Sequence, residues 1–401
     1  MTKARHEKFD FDKVINRRNT ASLKWDASQN GLPMWVADMD FETAPEIQNA
    51  ILDRAAHGIY GYTIIQDMWY QAYIDWWRSR HHFIMEEEWL VFCTGVVPAI
   101  SSMVRKLTTP AEKVVLLTPV YNIFFNSVLN HGRQVVECPL SYNGQIYEID
   151  FERLETALAD PQTTLLILCN PHNPTGNIWD RAVLKHIGQL CAKYGVLVIC
   201  DEIHCDLTAP KAKYVPFASV SEECRENSIT CLAPTKAFNL AGLQTAAVCI
   251  PNPRLRHKVW RGLHTDEVAE PNVFAAEAAI AAFTKGGHWL DALRQYLFEN
   301  RSIAERYFKQ EIPNIHAVKS NATYLLWIDC NGIGGNVSQM CCFIQKRTGL
   351  YLSEGSQFGE NGKNFLRMNI ACPKAVLEKG LELLKNGIAQ YENDILQLDG
   401  L

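Results

Sequence analysis

The chain has 401 residues, of which 47% are hydrophobic and 21% charged, an ordinary balance for a globular protein with a sizeable core. Lys and Arg together number 39 against 44 Asp and Glu, which gives a net charge of −5 without any long basic run. These values exclude the electrostatic footprint of a nucleic-acid-binding protein.

The N-terminal segment is charged and lacks the apolar core of a secretory signal peptide. No apolar run elsewhere approaches the roughly 18 residues that are needed to span a bilayer. The thirteen cysteines are scattered, odd in number and without a C-x-x-C pair, so neither a disulfide framework nor a zinc site is indicated. We therefore expect a cytoplasmic protein with free buried thiols, no metal, and no membrane or nucleic-acid partner.

The N-terminal arm shows no regular hydrophobic period, and residues 24–41 mix acids, tryptophans and turn residues. Such a mixture is typical of an ordered arm that lies across another part of the protein. Helical spacing follows at 45–57 and again at 67–81. Between these two predicted helices, a single glycine separates Tyr60 from Tyr62 in a loop.

From about residue 89 onward, strand-like and helical segments alternate. The predicted strands are 89–94, 113–118, 134–138, 163–169, 196–200, 228–232 and 245–250. This alternation predicts an α/β fold with a mostly parallel sheet that is covered by helices on both faces. Ligands of such sheets bind beyond the carboxyl ends of the strands.

Beyond about residue 287 the alternation changes to that of a smaller α+β unit. The expected helices are 288–310, 337–347 and 374–392, and the expected strands are 322–329, 350–352 and 364–370. We therefore expect a large domain at 46–287 and a small domain formed by 288–401 together with the arm at 1–45.

Lys236 lies between two predicted buried strands, directly after the hydroxyl residue Thr235. Lysine is almost never fully buried without a partner, and a desolvated lysine loses its proton more readily. Such a lysine can form a Schiff base with a carbonyl such as that of pyridoxal phosphate, whose phosphate would suit the nearby hydroxyl. Other residues of the chain must decide whether Lys236 is catalytic.

Two further strand ends carry candidate residues. The segment Asn170-Pro-His-Asn-Pro-Thr-Gly176 forms a rigid turn that displays the Asn173 side chain in a fixed direction. Asp201 ends the next predicted strand, where its carboxylate requires a partner. That partner is either a protonated pyridine nitrogen, which needs a carboxylate to stay cationic, or the start of the next helix or an arginine.

Together, the N-P-x-N-P-x-G, D-E-I-x, hydroxyl-lysine and late R-x-N motifs resemble the class I/II PLP-dependent aminotransferase superfamily, whose members share the aspartate aminotransferase fold. The resemblance covers about residues 10–395 and implies pyridoxal phosphate (PLP) as cofactor. It implies that Lys236 holds the cofactor covalently and moves the α-proton of the substrate. Asp201 would pair with the pyridine nitrogen, and Asn173 would donate to the ring 3′-oxygen.

The resemblance implies further roles at the remaining positions. Arg367, in Phe365-Leu-Arg-Met-Asn369, matches the arginine that binds the substrate α-carboxylate. Tyr62 matches the tyrosine that reaches the phosphate and substrate of a second subunit, which implies a homodimer with shared sites. The other expected cofactor contacts are Tyr121, stacked on the ring, and Gly95, Val96, Val97, Thr235 and His204.

Three positions depart from the common pattern of the superfamily. His204 replaces a tyrosine three residues after the aspartate, Gln244 replaces a phosphate-binding arginine, and Ala233 replaces a serine before the lysine. Thr235 is then the remaining hydroxyl next to the lysine. We therefore expect the protein to bind the phosphate more weakly than a typical aminotransferase does.

The departures, together with W-V-A-D-M-D-F at 35–41 and T-K-A-F-N-L-A-G-L at 235–243, look like the MalY/PatB branch of cystathionine β-lyase-type C–S lyases. That likeness implies cleavage of L-cystathionine or related L-cysteine S-conjugates to a thiol such as homocysteine, pyruvate and ammonia. One alternative is an aminotransferase that uses an amino acid and a 2-oxo acid. Another is a regulatory protein that uses the same fold to bind a partner.

Overall fold

The computed structural model describes residues 9–28 and 30–399, and the side chains among them up to residue 394. Its central feature is a seven-stranded sheet with the order β2-β10-β9-β8-β7-β3-β4. The strands of this sheet are β2 (Leu90–Cys93), β3 (Lys113–Thr118), β4 (Gln134–Pro139), β7 (Thr163–Cys169), β8 (Leu197–Asp201), β9 (Ser228–Leu232) and β10 (Ala246–Cys249).

All strands of the central sheet run in one direction except β10, which is antiparallel to both of its neighbours. The sheet is buried on both faces, because successive residues of one strand enter different cores. In β3, Val114 and Leu116 pack into the core on one face, while Val115 and Leu117 pack into the core on the other. Continuous apolar runs are the sequence pattern that such two-faced burial requires.

Helices connect the strands and cover the sheet. The helices up to the lysine segment are α1 (Leu23–Asp26), α2 (Pro45–Ala56), α3 (Asp67–His81), α4 (Val96–Leu107), α5 (Ile123–Leu129), α6 (Phe151–Ala159), α7 (Arg181–Tyr194) and α8 (Glu222–Glu226). The later ones are α9 (Pro253–Thr265), α10 (Ala275–Lys285), α11 (Gly287–Glu311), α12 (Val337–Thr348) and α13 (Lys374–Asp399). None of the described helices is both long and apolar enough to cross a membrane.

A second sheet of four antiparallel strands follows, in the order β11-β12-β15-β14. Its strands are β11 (His316–Ala317), β12 (Leu325–Asp329), β14 (Ser353–Glu354) and β15 (Phe365–Asn369). The N-terminal arm joins this region through the parallel pair of β1 (Leu32–Pro33) and β13 (Leu350–Tyr351). A small hairpin of β5 (Ser141–Tyr142) and β6 (Tyr147–Glu148) completes the strands.

Strand β12 is shorter than the sequence predicts, because the predicted strand begins at Ala322 and the observed one at Leu325. Thr323 has φ = 67°, in the left-handed region, which interrupts an extended strand. Its amide donates to the carbonyl of Leu207 at 2.8 Å instead of to a neighbouring strand. The interruption sets the direction of the next side chain, that of Tyr324.

A buried ionic network fixes the N-terminal arm. Lys24 Nζ lies 2.8 Å from Asp40 Oδ2, and the two side chains are only 1% and 5% exposed. Arg17 Nη1 lies 2.7 Å from Asp40 Oδ1, and Trp25 Nε1 donates to the same oxygen at 2.8 Å. Because both carboxylate oxygens have cationic partners, the desolvated charges are compensated.

We expect Lys24→Met to destabilise the protein by about 3 kcal/mol, because it leaves part of the buried Asp40 charge without its partner. The midpoint of urea unfolding, followed by circular dichroism, measures this loss. The matched control is Lys13→Met, which breaks a pair with Glu42 in which both side chains are more than half exposed. It should cost less than about 1 kcal/mol. Equal losses in the two variants would contradict a special role of the buried pair.

All thirteen cysteines are free thiols, and all except Cys342 are buried. Burial raises the pKa of these thiols where a shift is resolved, for example that of Cys93 to about 12. They therefore act as small apolar side chains, as the sequence predicts.

Candidate active site

The parallel strands of the central sheet bring most of the predicted site residues to one edge. Strands β2, β3, β7, β8 and β9 have their carboxyl ends at this edge. The residues at or just beyond these ends are Gly95, Val96, Val97, Tyr121, Asn173, Asp201, His204, Thr235 and Lys236. Chain segments far apart in sequence thus meet where α/β sheets bind ligands.

Lys236 is partly buried, and its Nζ donates to the carbonyl of Ala37 at 2.6 Å. Burial, together with the positive charge of Arg367, lowers the pKa of its amine to about 8, while Asp38 and Asp201 oppose the shift. About one tenth of such an amine is unprotonated at pH 7, far more than for an ordinary lysine. Lys236 can therefore act as a nucleophile or a base near neutral pH.

Asp201 is buried, and its Oδ1 accepts a hydrogen bond from the amide of Ile203 at 3.0 Å. Burial raises the pKa of this carboxyl to about 6, against the opposing effects of the Ile203 amide and the charge of Lys236. Within the described residues it forms no salt bridge with a side chain. A cationic group bound beside it would stabilise its ionised form.

Arg367 enters the site from β15 and is buried to 6% exposure. Its Nη1 donates to Asn173 Oδ1 at 3.3 Å, and its Nη2 donates to the carbonyl of Trp35 at 2.9 Å. No carboxylate of the described residues pairs with it, its Nε has no partner among them, and burial lowers its pKa to about 10. A buried guanidinium with neutral partners is a binding site for a carboxylate ligand.

His204 and Tyr121 are neutral groups at the same edge. Burial, with the charges of Lys236 and Arg367, lowers the pKa of His204 to about 3, so the ring is uncharged. Its Nδ1 is buried and has no hydrogen-bond partner among the described residues. Burial also raises the pKa of Tyr121, against the opposing charge of Arg367, which keeps its hydroxyl protonated.

Helix α4 begins at the same edge, directly after Gly95. No side chain of the described residues caps its first turn, so the amides of Val96 and Val97 are available to an anion. Thr235 and Ala233, which follow β9, are both buried. Gln244, where the superfamily has an arginine, is exposed at the end of a short 3-10 turn.

Tyr62 is the predicted site residue that does not join this cluster. Its side chain is fully exposed, and so are large parts of the neighbouring Ile59, Tyr60, Ile64 and Met68. The segment that carries it therefore presents an apolar surface to solvent.

The chain matches the family described as Aminotransferase class I and II over residues 32–384. It is 40% identical over 386 residues to cystathionine beta-lyase PatB of Bacillus subtilis, an alignment that covers 95% of this chain and 100% of the relative. The chain belongs to the class I and II aminotransferase family.

Two further likenesses refine this membership. Protein MalY of Escherichia coli is 33% identical over 390 residues, with 95% of this chain and 99% of MalY covered. The crystal structure of cystalysin from Treponema denticola, which contains pyridoxal 5′-phosphate, has a TM-score of 0.93 at 31% identity. That comparison covers 96% of this chain and 99% of cystalysin. The predicted fold and the predicted likeness to the MalY/PatB branch are confirmed.

The sequence predicts an ordered arm at 24–41 that lies across another part of the protein, but it does not predict that part of this arm crosses the site. Residues 35–41, which we call the strap, cross the site with their carbonyls held by side chains. Asn369 Nδ2 donates to the carbonyls of Val36 and Asp38, both at 2.6 Å. Asn239 Nδ2 donates to those of Met39 and Phe41, both at 3.0 Å.

The motifs contain a partial signal for the strap. Asn369 is the asparagine of the R-x-N motif, and Asn239 lies three residues after Lys236. Their side chains bind backbone carbonyls, which leave no residue-type pattern in the strap itself. Tyr324, whose hydroxyl donates to the carbonyl of Ala37 at 3.0 Å, was not predicted as a site residue either.

The side chains at this edge fit the cofactor that the family membership implies. An amine of lowered pKa, a buried carboxylate without a basic partner and an uncapped helix N-terminus match an aldehyde, a pyridine nitrogen and a phosphate respectively. The buried Nδ1 of His204 is a further polar atom without a protein partner among the described residues. The buried Arg367 remains for the carboxylate of a substrate.

Proposed function

We propose that the protein is a PLP-dependent C–S β-lyase that cleaves L-cystathionine or a related L-cysteine S-conjugate to a thiol, pyruvate and ammonia. The observation that carries this proposal is the Lys236 amine of lowered pKa, on which the charges of the buried Asp201 and the buried Arg367 both act. The thioether specificity is supported by relatives that are named cystathionine beta-lyase, among them PatB at 40% identity.

In this proposal Lys236 holds PLP covalently, Asp201 pairs with the pyridine nitrogen and Asn173 donates to the ring oxygen. The remaining contacts are assigned to Tyr121 at the ring face, to Gly95, Val96, Val97 and Thr235 at the phosphate, and to His204 beside the ring. When bound, PLP supplies a carbonyl that captures the substrate amine and a ring that withdraws electrons from the α-carbon.

The side chains of the protein position the substrate and move its protons. Arg367 binds the α-carboxylate through two parallel N–H donors, and this orients the Cα–H bond of the substrate toward Lys236. With the cofactor bound, Nζ of Lys236 would accept the α-proton of the substrate. When the C–S bond breaks, the sulfur would leave with the bonding electron pair and could take this proton from the Lys236 ammonium group. Water converts the remaining carbon skeleton into pyruvate and ammonia.

One assay separates this reaction from transamination. The purified, PLP-loaded protein is incubated with L-cystathionine, and separately with an amino acid plus 2-oxoglutarate. We expect stoichiometric thiol and pyruvate from cystathionine without added 2-oxo acid. Formation of glutamate from 2-oxoglutarate, without pyruvate from cystathionine, would instead identify an aminotransferase.

We also propose that the protein is a homodimer in which Tyr62 completes the site of the other subunit. The support is the apolar segment around Tyr62, where Ile59, Tyr60 and Ile64 of the loop and Met68 in the first turn of α3 are each more than half exposed. Large apolar side chains in one continuous exposed segment are typical of an interface. Residue 62 in one subunit and Lys236 in the other would then serve one site.

Mixing two inactive variants tests this shared site. Tyr62→Ala and Lys236→Ala should each be nearly inactive, and unfolding and refolding them together in equal amounts should restore about one quarter of wild-type activity. The reason is that half of the dimers are mixed, and each mixed dimer has one complete site. Ile84→Ala, a change of an exposed apolar residue outside this loop, is the control for Tyr62. No recovery on mixing, or a monomer in light scattering, would contradict the proposal.

Two further assignments complete the proposal. We place the large, PLP-binding domain at residues 46–287 and the small domain at 1–45 and 288–401, because the central sheet lies in the first part and the four-stranded sheet in the second. We place the protein in the cytoplasm, because its many buried free thiols suit a reducing compartment.

A further inference from the structure

The strap brings a row of backbone carbonyls to the active site. Its carbonyls at Trp35, Val36, Asp38, Met39 and Phe41 each accept from a side chain of Arg367, Asn369 or Asn239. The strap is therefore held at fixed positions along its length, and the carbonyl of Ala37 is fixed among them.

Two donors meet at the carbonyl of Ala37. Lys236 Nζ donates to it at 2.6 Å, and the hydroxyl of Tyr324 donates to it at 3.0 Å. The two groups differ in mobility, because Lys236 has a long flexible side chain and Tyr324 is only 1% exposed in a packed core. One donor of this carbonyl can thus leave while the other stays.

The backbone around Tyr324 holds its hydroxyl in this place. Thr323 has φ = 67°, a left-handed conformation that costs a β-branched residue free energy and that is retained here through its hydrogen bond to Leu207. On the other side, the Tyr324 carbonyl accepts from the amide of Ile370 at 2.9 Å. The ring of His204 packs edge-on against Tyr324, with the centroids 6.2 Å apart. These contacts fix the ring independently of Lys236.

We propose that Tyr324 is a positioning residue that releases Lys236 for covalent attachment to the cofactor. Its hydroxyl keeps the Ala37 carbonyl hydrogen-bonded when Nζ turns away, so that the lysine leaves no unsatisfied acceptor behind. The hydroxyl also competes with Nζ for the same oxygen, and this weakens the hydrogen bond between the Lys236 amine and the Ala37 carbonyl. This inference rests on the proposed function, in which Lys236 carries PLP.

The test compares Tyr324→Phe with Tyr391→Phe in the full-length protein. Tyr391 is the matched control, because its buried hydroxyl also donates to a backbone carbonyl, that of Asn336, at 3.0 Å. After dilution of the PLP-loaded proteins, the fraction of cofactor that remains attached to Lys236 is trapped with borohydride and measured by peptide mass spectrometry. We expect about a five-fold weaker retention in Tyr324→Phe and no change in Tyr391→Phe.

A second readout needs no cofactor. In the PLP-free proteins, the pH dependence of Lys236 acetylation by trace acetic anhydride gives the pKa of its amine. We expect the pKa of the Lys236 amine to be higher by about half a unit in Tyr324→Phe. The reason is that its ammonium form no longer shares the Ala37 carbonyl with the Tyr324 hydroxyl. Replacement of Tyr324 by 3-fluorotyrosine, whose more acidic hydroxyl is a stronger donor, should shift both readouts in the opposite direction.

The outcomes separate the two proposals. Borohydride labelling of a residue other than Lys236 in the wild type overturns the proposed function itself. Labelling of Lys236 with unchanged retention and unchanged amine pKa in Tyr324→Phe overturns the role of Tyr324 alone. If Tyr324→Phe unfolds, the fluorotyrosine protein decides, and an unshifted pKa in that protein overturns the inference.

Discussion

Replacement of Lys236 by alanine should lower the turnover of L-cystathionine by about 10³-fold or more, because it removes both the covalent anchor and the base. The lowered pKa of this amine, about 8, is what makes it effective near neutral pH. The variant should also lose the visible absorbance of covalently held cofactor. Steady-state pyruvate formation and the absorption spectrum measure the two effects.

The control for this variant is Lys285→Ala, which removes an exposed lysine at the end of helix α10 and should retain wild-type activity. A small exogenous amine provides a more specific check. Ethylamine should restore part of the activity of Lys236→Ala in proportion to its unprotonated concentration, which a merely structural role of the lysine would not produce. Activity of Lys236→Ala near the wild-type value would refute the assignment.

Replacement of Arg367 by alanine should lower kcat/KM by about 100-fold or more, mainly through KM, because the α-carboxylate loses its charged partner. Arg367→Lys keeps the positive charge but lacks the two parallel donors, so its kcat/KM should lie between that of Arg367→Ala and that of the wild type. Initial rates over a range of L-cystathionine concentrations separate KM from kcat. The control is Arg133→Ala, a buried arginine that binds the carbonyls of Arg105 and Thr108 away from the site.

The same two variants make a second, independent prediction. The charge of Arg367 contributes to the lowered pKa of Lys236, so its removal should raise that pKa toward its ordinary value of 10.5. Because Lys236 acts as a base, the rise of activity with increasing pH should therefore shift to higher pH in Arg367→Ala, while in Arg367→Lys it should shift little. An unchanged KM together with an unchanged profile would contradict both roles of Arg367.

The catalytic edge of the sheet is the part of the site that could be predicted from sequence. Asn173, Asp201 and Lys236 each lie at or just beyond the end of a buried strand, so their meeting at one edge follows from a parallel sheet. Arg367 is recognisable as a candidate because a charged side chain inside an apolar strand requires a partner for its charge. What these residues do remains a proposal, whereas their placement follows from the fold.

Other parts could not be predicted, for identifiable physical reasons. Helix α10 was not predicted, because its alanine-rich run is buried on nearly every side and has little polar contrast. The strap binds through backbone carbonyls, which every residue possesses. Tyr324 has the pattern of an ordinary strand residue. Its side chain is redirected by the left-handed backbone of Thr323, a conformation that threonine rarely adopts and that no sequence pattern indicates.

The strap has a consequence for the order in which the protein matures during synthesis. It precedes the central sheet in the chain, yet Arg367 and Asn369, which hold three of its carbonyls, follow that sheet. A nascent chain that ended before residue 365 would already contain Lys236 and Asp201, but its strap would lack those anchors. Biosynthesis therefore places the completion of the catalytic pocket after the synthesis of the central sheet.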